Sequence, residues 1–487
     1  MKKMKFAEKM VNKQKERYME LQRKLEFKSI SNKEEKNSVG SDILYDNLDL
    51  QENLLLNKML DCKERWTNGD KLKQKEFMET YINITCLKYI SNDFYNINGY
   101  LGLDKLKQSI FNILNEANVR NLNVEIKSMV ELLRMKCFSD NVNLSTNKVY
   151  VKNGLITLNK NKHSFQPVRE FTIHLMNVNY TTSRKTPKKW LNFLNSLLSP
   201  EDIDILQEYL GYCLIPSTDA QKSLFIIGKG GEGKSVIGKV LNSIFGSSLV
   251  NIKIQKLLTN KFSLAQLNSK LVIFEDELQD IPLREIDTFK SLITGGQFSI
   301  EEKYQREQQV SLYARFIVLG NNILKHKNCK EPSFQRRLLL LITKEKDKNR
   351  IDNPYLSNEL IKEKDLIFMW MLKGLERLLK NNYRFSHQDY MKERIENYYK
   401  SDYSKVVESF INDDRYIKLL SGSCTTTNDL MAQFKKYCSD NYIEYNGDKF
   451  SKELPLLQEA YNIKKEKIYF RELNKQLWGY RNITLAN

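Results

Sequence analysis

The chain has 487 residues, 41% of them hydrophobic, which is enough for several domains with real cores. Its 78 Lys+Arg against 60 Asp+Glu leave a net charge of +18. That sign favours a polyanion, nucleic acid first and an anionic membrane surface second, although solubility alone accounts for it equally well. Seven scattered cysteines with no C-x-x-C pair and four dispersed histidines argue against a disulfide framework or a zinc site and fit a reducing cytoplasm. No apolar run is long enough for a membrane span, and the basic N-terminus lacks the apolar core of a secretory signal.

No internal repeat is present. Residues 1–60 are mostly charged, with Met10, Tyr18, Leu21 and Leu25 at helical spacing. They are expected to form a loosely packed helical arm, interrupted by the polar run 29–42. Residues 61–185 read as an α+β region. "NLNVEIKSMVELLRMKCF" has helical period, whereas "NKVYVKNGLITLNKNKHSF" alternates around Asn153-Gly154, a hairpin signal. Helices return from residue 186. Ser199-Pro200-Glu201 starts one of them with a hydroxyl cap, a proline at the first position and an acid in the first turn.

The apolar run "QKSLFII" then leads straight into "GKGGEGKS", which places four of the chain's 19 glycines within six positions. Glycine costs backbone entropy, so such a cluster implies unusual dihedrals or a close ligand. Gly228, Lys229, Gly230, Gly231, Glu232, Gly233, Lys234 and Ser235 have the spacing of a phosphate-binding loop. Its amides would cradle the phosphates of ATP, Lys234 would reach the β- and γ-phosphates, and the Ser235 hydroxyl would hold Mg²⁺. The helical "SVIGKVLNSIFG" follows, giving the strand–loop–helix context that a glycine turn binding nothing would not need.

Such a loop requires a carboxylate for Mg²⁺ and a base for water. "KLVIFEDELQ" places Glu275, Asp276 and Glu277 at the end of a buried strand. In one register Glu275 and Asp276 work together; in the other Asp276 is the metal-side acid and Glu277 the base. Asp276 belongs to both. A second apolar strand, "ARFIVLGNN", ends at Asn321, whose amide could orient the attacking water. In "PSFQRRLLLLI", Arg336 and Arg337 precede another buried strand. A guanidinium supplied to a neighbour's γ-phosphate is worth about 10³–10⁵ in rate, so this pair also implies a ring. Between acids and sensor lie Lys290, Gly295-Gly296 and two alternating stretches, Phe298–Lys303 and Gln308–Phe316. They read as a hairpin presenting Lys303, Tyr304 and Arg306 to DNA phosphates and bases, or else to solvent alone.

After a basic, Tyr-rich connector, "TTTNDLMAQFKKYCSDNY" and "GDKFSKELPLLQEAY" read as helices, the second bent or broken near Pro455. "IKKEKIYF" and "WGYRNITL" read as a β-wing. Helix, helix and wing suggest a winged helix. Lys449, Ser451 and Lys452 would face the major groove, and Lys464, Lys465 and Lys467 the DNA backbone. A protein-binding or purely structural winged helix is the alternative.

The ordered set "GKGGEGKS", "LVIFEDE", "FKSLITGG…EEK", "FIVLGNN" and "QRR" resembles the superfamily 3 AAA+ helicases. Flanking segments are similar to those of poxvirus-type and satellite-phage-type primase-helicases, so the resemblance extends over roughly residues 145–487. With no primase catalytic segment, the chain is most similar to the replication initiators of staphylococcal pathogenicity islands. The resemblance implies an α/β fold: an AAA+ P-loop core with helical flanks over 186–395, preceded by an α+β collar or loading region and followed by a winged helix over 402–487. It implies ATP hydrolysis with Mg²⁺, a homo-hexameric ring, 3′→5′ travel on single-stranded DNA and melting of a double-stranded origin. Host or element replication proteins are implied as further partners. By position, Gly233, Lys234 and Ser235 bind phosphate and Mg²⁺, residues 275–277 form the second motif, Lys303 heads the DNA hairpin, Asn321 is the sensor and Arg336/Arg337 supply the finger. Two departures stand out: Glu232 replaces a common Asn or other polar residue, and Ile323-Leu324 stands where a proline is usual. Neither is expected to touch the chemistry. An ATP-dependent assembly switch that does not unwind, a small-molecule P-loop kinase and a structural protein with an inactive loop are the competing readings.

Overall fold

The computed structural model describes residues 52–139, 144–159, 162–278, 286–301, 307–323, 331–346, 353–399, 402–441 and 443–486. Residues 1–51 of the expected arm over 1–60 and the expected hairpin-tip residues Lys303, Tyr304 and Arg306 lie outside them. The described chain divides into two units. One comprises the described parts of Met1–Tyr89 and Leu101–Phe138; the other, those of Ile90–Tyr100 and Ser139–Asn487.

The first unit is helical, with helices Gln74–Thr85, Leu103–Glu116 and Leu122–Lys136. Each buries one stripe, for example Leu106, Ile110, Ile113 and Leu114. Trp66 packs edge-on against Phe77 at 5.1 Å, and Tyr81 donates to Ser109 Oγ at 3.1 Å.

After residue 139 the second unit continues with a four-stranded sheet. Lys148–Val151 and Gly154–Asn159 form the hairpin that the alternation around Asn153-Gly154 predicts. Apolar residues on these strands, such as Val149, Ile156 and Met176, join the same core as the helices after residue 186. Helix α1 (Lys188–Leu197) and helix α2 (Pro200–Tyr212) follow. Ser199 caps α2 by accepting from the Asp202 amide at 3.3 Å, with Pro200 in the first turn.

The central layer is a parallel sheet of β1 (Ser223–Ile227), β2 (Leu249–Asn251), β3 (Val272–Leu278), β4 (Arg315–Gly320) and β5 (Leu338–Ile342). The strand order is β2-β3-β4-β1-β5. β1 and β4 are buried along their whole length, the pattern of parallel strands covered on both faces. Helix α3 (Lys234–Phe245) connects β1 to the far side of the sheet and lies close on β3: a Cβ on Gly238 would meet the Phe274 ring at 2.4 Å. A hairpin of Gln297–Ile300 and Gln308–Ser311 precedes β4.

Helix α4 (Leu356–Ile361) and helix α5 (Lys364–Lys380) follow the sheet, then helix α6 (Gln388–Tyr399). α5 approaches α2 closely enough that a Cβ on Gly374 would lie 2.2 Å from the Gln207 carbonyl. Buried carboxylates hold these helices. Glu208 accepts from Arg377 Nε at 2.5 Å, and Asp202 accepts from Arg394 at 2.5 and 2.6 Å.

The C-terminal part has its own hydrophobic core, including Phe410, Phe434, Phe450 and Leu454. Its elements are helix α7 (Asp402–Ile411), β6 (Cys424–Thr426), helix α8 (Thr427–Asp440), helix α9 (Gly447–Leu457), β7 (Lys464–Phe470) and β8 (Lys475–Arg481). The three strands form an antiparallel sheet in the order β6-β8-β7. The expectation for α9 is a bend or a break near Pro455; the helix runs through Pro455 without a break. Pro455 lies on the exposed face, where water can satisfy the carbonyl its missing N–H leaves open.

Candidate functional site

A cavity of about 720 Å³ opens at the carboxyl ends of β1, β3 and β4. Ligands of open α/β sheets bind in this position, outside the strand ends. Its floor is the glycine loop. Gly230, Gly231 and Gly233 have φ of 108°, 79° and 104°, values that side chains disfavour, so the cluster is required by backbone shape. Gly228 is required by space, because a Cβ there would fall 1.9 Å from Thr343 Oγ1. The Gly228 amide donates to the Gly320 carbonyl at 3.1 Å, tying the loop to the end of β4. α3 starts at Lys234, and its first residues, Lys234, Ser235 and Val236, line the cavity.

Glu232 takes part in the loop's own hydrogen bonding. Its carboxylate folds back into the loop and accepts from the Gly230 amide at 2.9 and 3.0 Å. It also accepts from Lys234 Nζ at 2.9 Å, while Lys234 donates to the Gly228 carbonyl at 3.1 Å. Burial pushes the Glu232 pKa up, but Lys234 and the loop amides outweigh it and hold the carboxyl below its ordinary value. An internal anion therefore already uses donors of this loop.

The three adjacent acids separate. Asp276 and Glu277 line the cavity; Glu275 does not. Pairing of β3 with β4 shifts between Glu275 and Leu278: three steps along β3 match the two from Val318 to Gly320. This bulge breaks the alternation that would send Asp276 and Glu277 to opposite faces. Glu275 is buried and accepts from the Ile254 amide at 2.8 Å. Burial, only partly offset by that amide and by Lys253, pushes its pKa up to about 7. Of the two registers, the one pairing Glu275 with Asp276 thus lacks a cavity-facing Glu275.

Asn321, directly after β4, also lines the cavity. Ser235 is exposed there beside Lys234. Arg336 and Arg337 are elsewhere. They precede β5, whose Leu338 lies opposite Ser223 at the amino end of β1. Lys222 Nζ donates to the Arg336 carbonyl at 2.5 Å, and Arg337 donates to the Ser333 carbonyl. Arg336 has the more exposed side chain of the two. Lys290, from helix 286–294, pairs with Glu331 at 3.2 Å near the same segment.

The far wall consists of residues that the motifs did not single out. Lys189 and Phe193 come from α1, and Leu356 and Glu359 from α4. Lys189 Nζ lies 2.5 Å from Glu359 Oε2. No local spacing announces these four, since only the folded topology brings α1 and α4 to the loop.

In the C-terminal part, Lys449, Ser451 and Lys452 are exposed on α9, with Lys449 Nζ 5.6 Å above the Tyr403 ring. Lys465 and Lys467 share one face of β7, whereas Lys464 is on the other and pairs with Glu466 at 3.1 Å.

Residues 226–337, from β1 to the arginine pair, match a family described as a family of unknown function, DUF5906. No curated protein matches the chain. Among solved structures, the A-form apo structure of the NrS-1 C-terminal region covers 81% of this chain and 95% of that one, at 13% identity and a TM-score of 0.47. An apo structure of the same region covers 69% of this chain and 96% of that one, at 12% identity and a TM-score of 0.42. These are loose likenesses. Among the described residues, no helix is long and apolar enough to cross a membrane.

Proposed function

We propose that the chain is an ATP-driven DNA helicase with a superfamily 3 AAA+ core, acting in the cytoplasm as the replication initiator of a mobile element such as a staphylococcal pathogenicity island. The observation that carries this reading is the convergence of the glycine loop, Asp276, Glu277 and Asn321 on one cavity at the strand ends. Residues 186–395 are the motor in this reading, 402–487 a winged helix that selects the origin, and 61–185 a collar or loading region.

The loop amides and Lys234 bind the triphosphate of ATP. Ser235 and Asp276 would hold Mg²⁺, which when bound neutralises charge on the phosphoryl oxygens. Glu277 takes the proton of the attacking water, and Asn321 orients that water. The guanidinium of Arg336 or Arg337 comes from an adjoining subunit of a homo-hexamer. Lys303, Tyr304 and Arg306 grip one DNA strand, and hydrolysis moves them along it 3′→5′.

The test is DNA-stimulated ATP hydrolysis together with displacement of a strand from forked DNA. Both are expected to vanish in Lys234→Ala while duplex binding survives. Nucleotide-dependent binding without displacement would favour an assembly switch, and hydrolysis indifferent to DNA a small-molecule kinase.

A further inference from the structure

The β7–β8 hairpin carries a mixed aromatic and basic face that the reading of its lysines as backbone contacts leaves unexplained. Strand alternation places Lys465, Lys467 and Tyr469 on that face, opposite Tyr480, Trp478 and Gln476 respectively. Trp478 is 54% and Tyr469 57% exposed. Elsewhere the chain hides its large indoles: Trp66 and Trp190 are fully buried, and Trp370 is half-buried. Lys467 Nζ lies 5.8 Å over the Trp478 ring, and Lys465 Nζ lies 5.5 Å over Tyr480. Tyr480, at the base of this face, packs into the C-terminal core, whereas Trp478 and Tyr469 lie further toward the hairpin tip and join no core cluster among the described residues.

We infer that this face of the wing binds single-stranded DNA by stacking unpaired bases on Trp478 and Tyr469 while Lys465 and Lys467 take the adjoining phosphates. The two aromatic residues are diagonal neighbours across the strand pair, roughly 7–8 Å apart, so each can serve a separate base. Base stacking on aromatic rings tolerates any sequence and requires bases that are out of the duplex. A duplex offers phosphates to the lysines but no base plane to the indole. The positive side chains beside the rings select a nucleic acid over an uncharged apolar peptide. The inference rests on the reading of the chain as a DNA-binding protein and adds to it a site for the melted strand.

The experiment is a fluorescence titration of the full chain, without nucleotide, with oligothymidine and with a duplex of equal length. Oligothymidine is expected to quench the emission of Trp478, the most exposed indole. Trp478→Leu is expected to lose that quenching and to bind oligothymidine on the order of tenfold more weakly. Trp478→Phe, which keeps an aromatic face, should keep most of the affinity and controls for folding. Wild-type affinity in Trp478→Leu overturns the inference, as does equal quenching by the duplex. Absence of binding to either DNA overturns it together with the proposed function. Oligothymidine binding that leaves Trp478 unperturbed overturns the inference alone.

Discussion

Glu232 and Lys234, two positions apart in the glycine loop, form an ion pair of 2.9 Å with both side chains nearly buried. The lysine that would meet the γ-phosphate is thus already neutralised by a carboxylate of its own loop. Nucleotide must displace that carboxylate. Glu232→Gln keeps the shape and removes the competing charge. It is expected to bind ATP several-fold more tightly, as read by calorimetry. Weaker binding would mean that Glu232 itself holds the nucleotide. The pair also has a pH signature. The Glu232 pKa is depressed in the fold, so its stabilisation is complete above the ordinary glutamate value of about 4.3 and disappears as pH falls through the folded value.

The bulge in β3 makes opposite predictions for two neighbouring acids. Glu277→Gln is expected to retain ATP but hydrolyse it about 10²–10⁴-fold more slowly, the loss typical of a missing general base. Glu275→Gln should hydrolyse normally and be more stable than the wild type at high pH. The folded pKa of Glu275 is raised to about 7, so the folded state holds a proton that the unfolded state has released. Stability from this group is therefore complete at low pH and declines as pH rises towards 7. The loss is on the order of 3–4 kcal/mol above that, and glutamine abolishes it. Melting curves at pH 5 and pH 8 would read the difference. A Glu275→Gln enzyme that cannot hydrolyse ATP would restore the other register.

What sequence alone makes legible here is local. "SLFII", "LVIF", "RFIVLG" and "LLLLI" announce buried strands, and the loop, acids and Asn321 are readable because each closes such a run. The bulge is not readable, because it exists only relative to Val318 and Gly320 on the partner strand. The fold-back of Glu232 depends on the positive-φ glycines around it rather than on any spacing. Lys189, Phe193, Leu356 and Glu359 enter the cavity through chain topology.

The pairing of Asp202 with Arg394 should be a weak point for stability. Asp202 is fully buried at the start of α2, and Arg394 on α6 is its charged partner. Burial pushes its pKa up and Arg394 pulls it back. Arg394→Ala would leave a buried carboxylate without its charged partner, held only by neutral hydrogen bonds such as that from Tyr390, a loss of about 3–5 kcal/mol. Without the guanidinium the acid retains its proton to higher pH, so the penalty should be smaller at pH 5 than at pH 8. The double variant Asp202→Asn/Arg394→Ala should recover part of the loss in thermal melts. Equal penalties at the two pH values would show that the arginine acts by packing rather than charge.

The placement of the arginine pair decides whether one chain can complete its own site. β5 runs parallel to β1, with Leu338 opposite Ser223 and Ile342 opposite Ile227. The arginines precede Leu338 and the glycine loop follows Ile227, so roughly 16 Å of strand separates them. Arg336 therefore cannot serve the loop of its own chain without rearrangement of the sheet. Arg336→Ala is expected to bind ATP normally and to lose about 10³-fold or more in hydrolysis. Mixing it with Lys234→Ala, itself inactive, should recover activity. The Lys234→Ala subunits keep a working Arg336, and the Arg336→Ala subunits keep a working loop. Arg337, half-buried and bonded to the Ser333 carbonyl, should matter less for rate than for holding the segment. If the mixture stays as inactive as its components, or the protein hydrolyses ATP at full rate as a monomer, the site is completed within one chain.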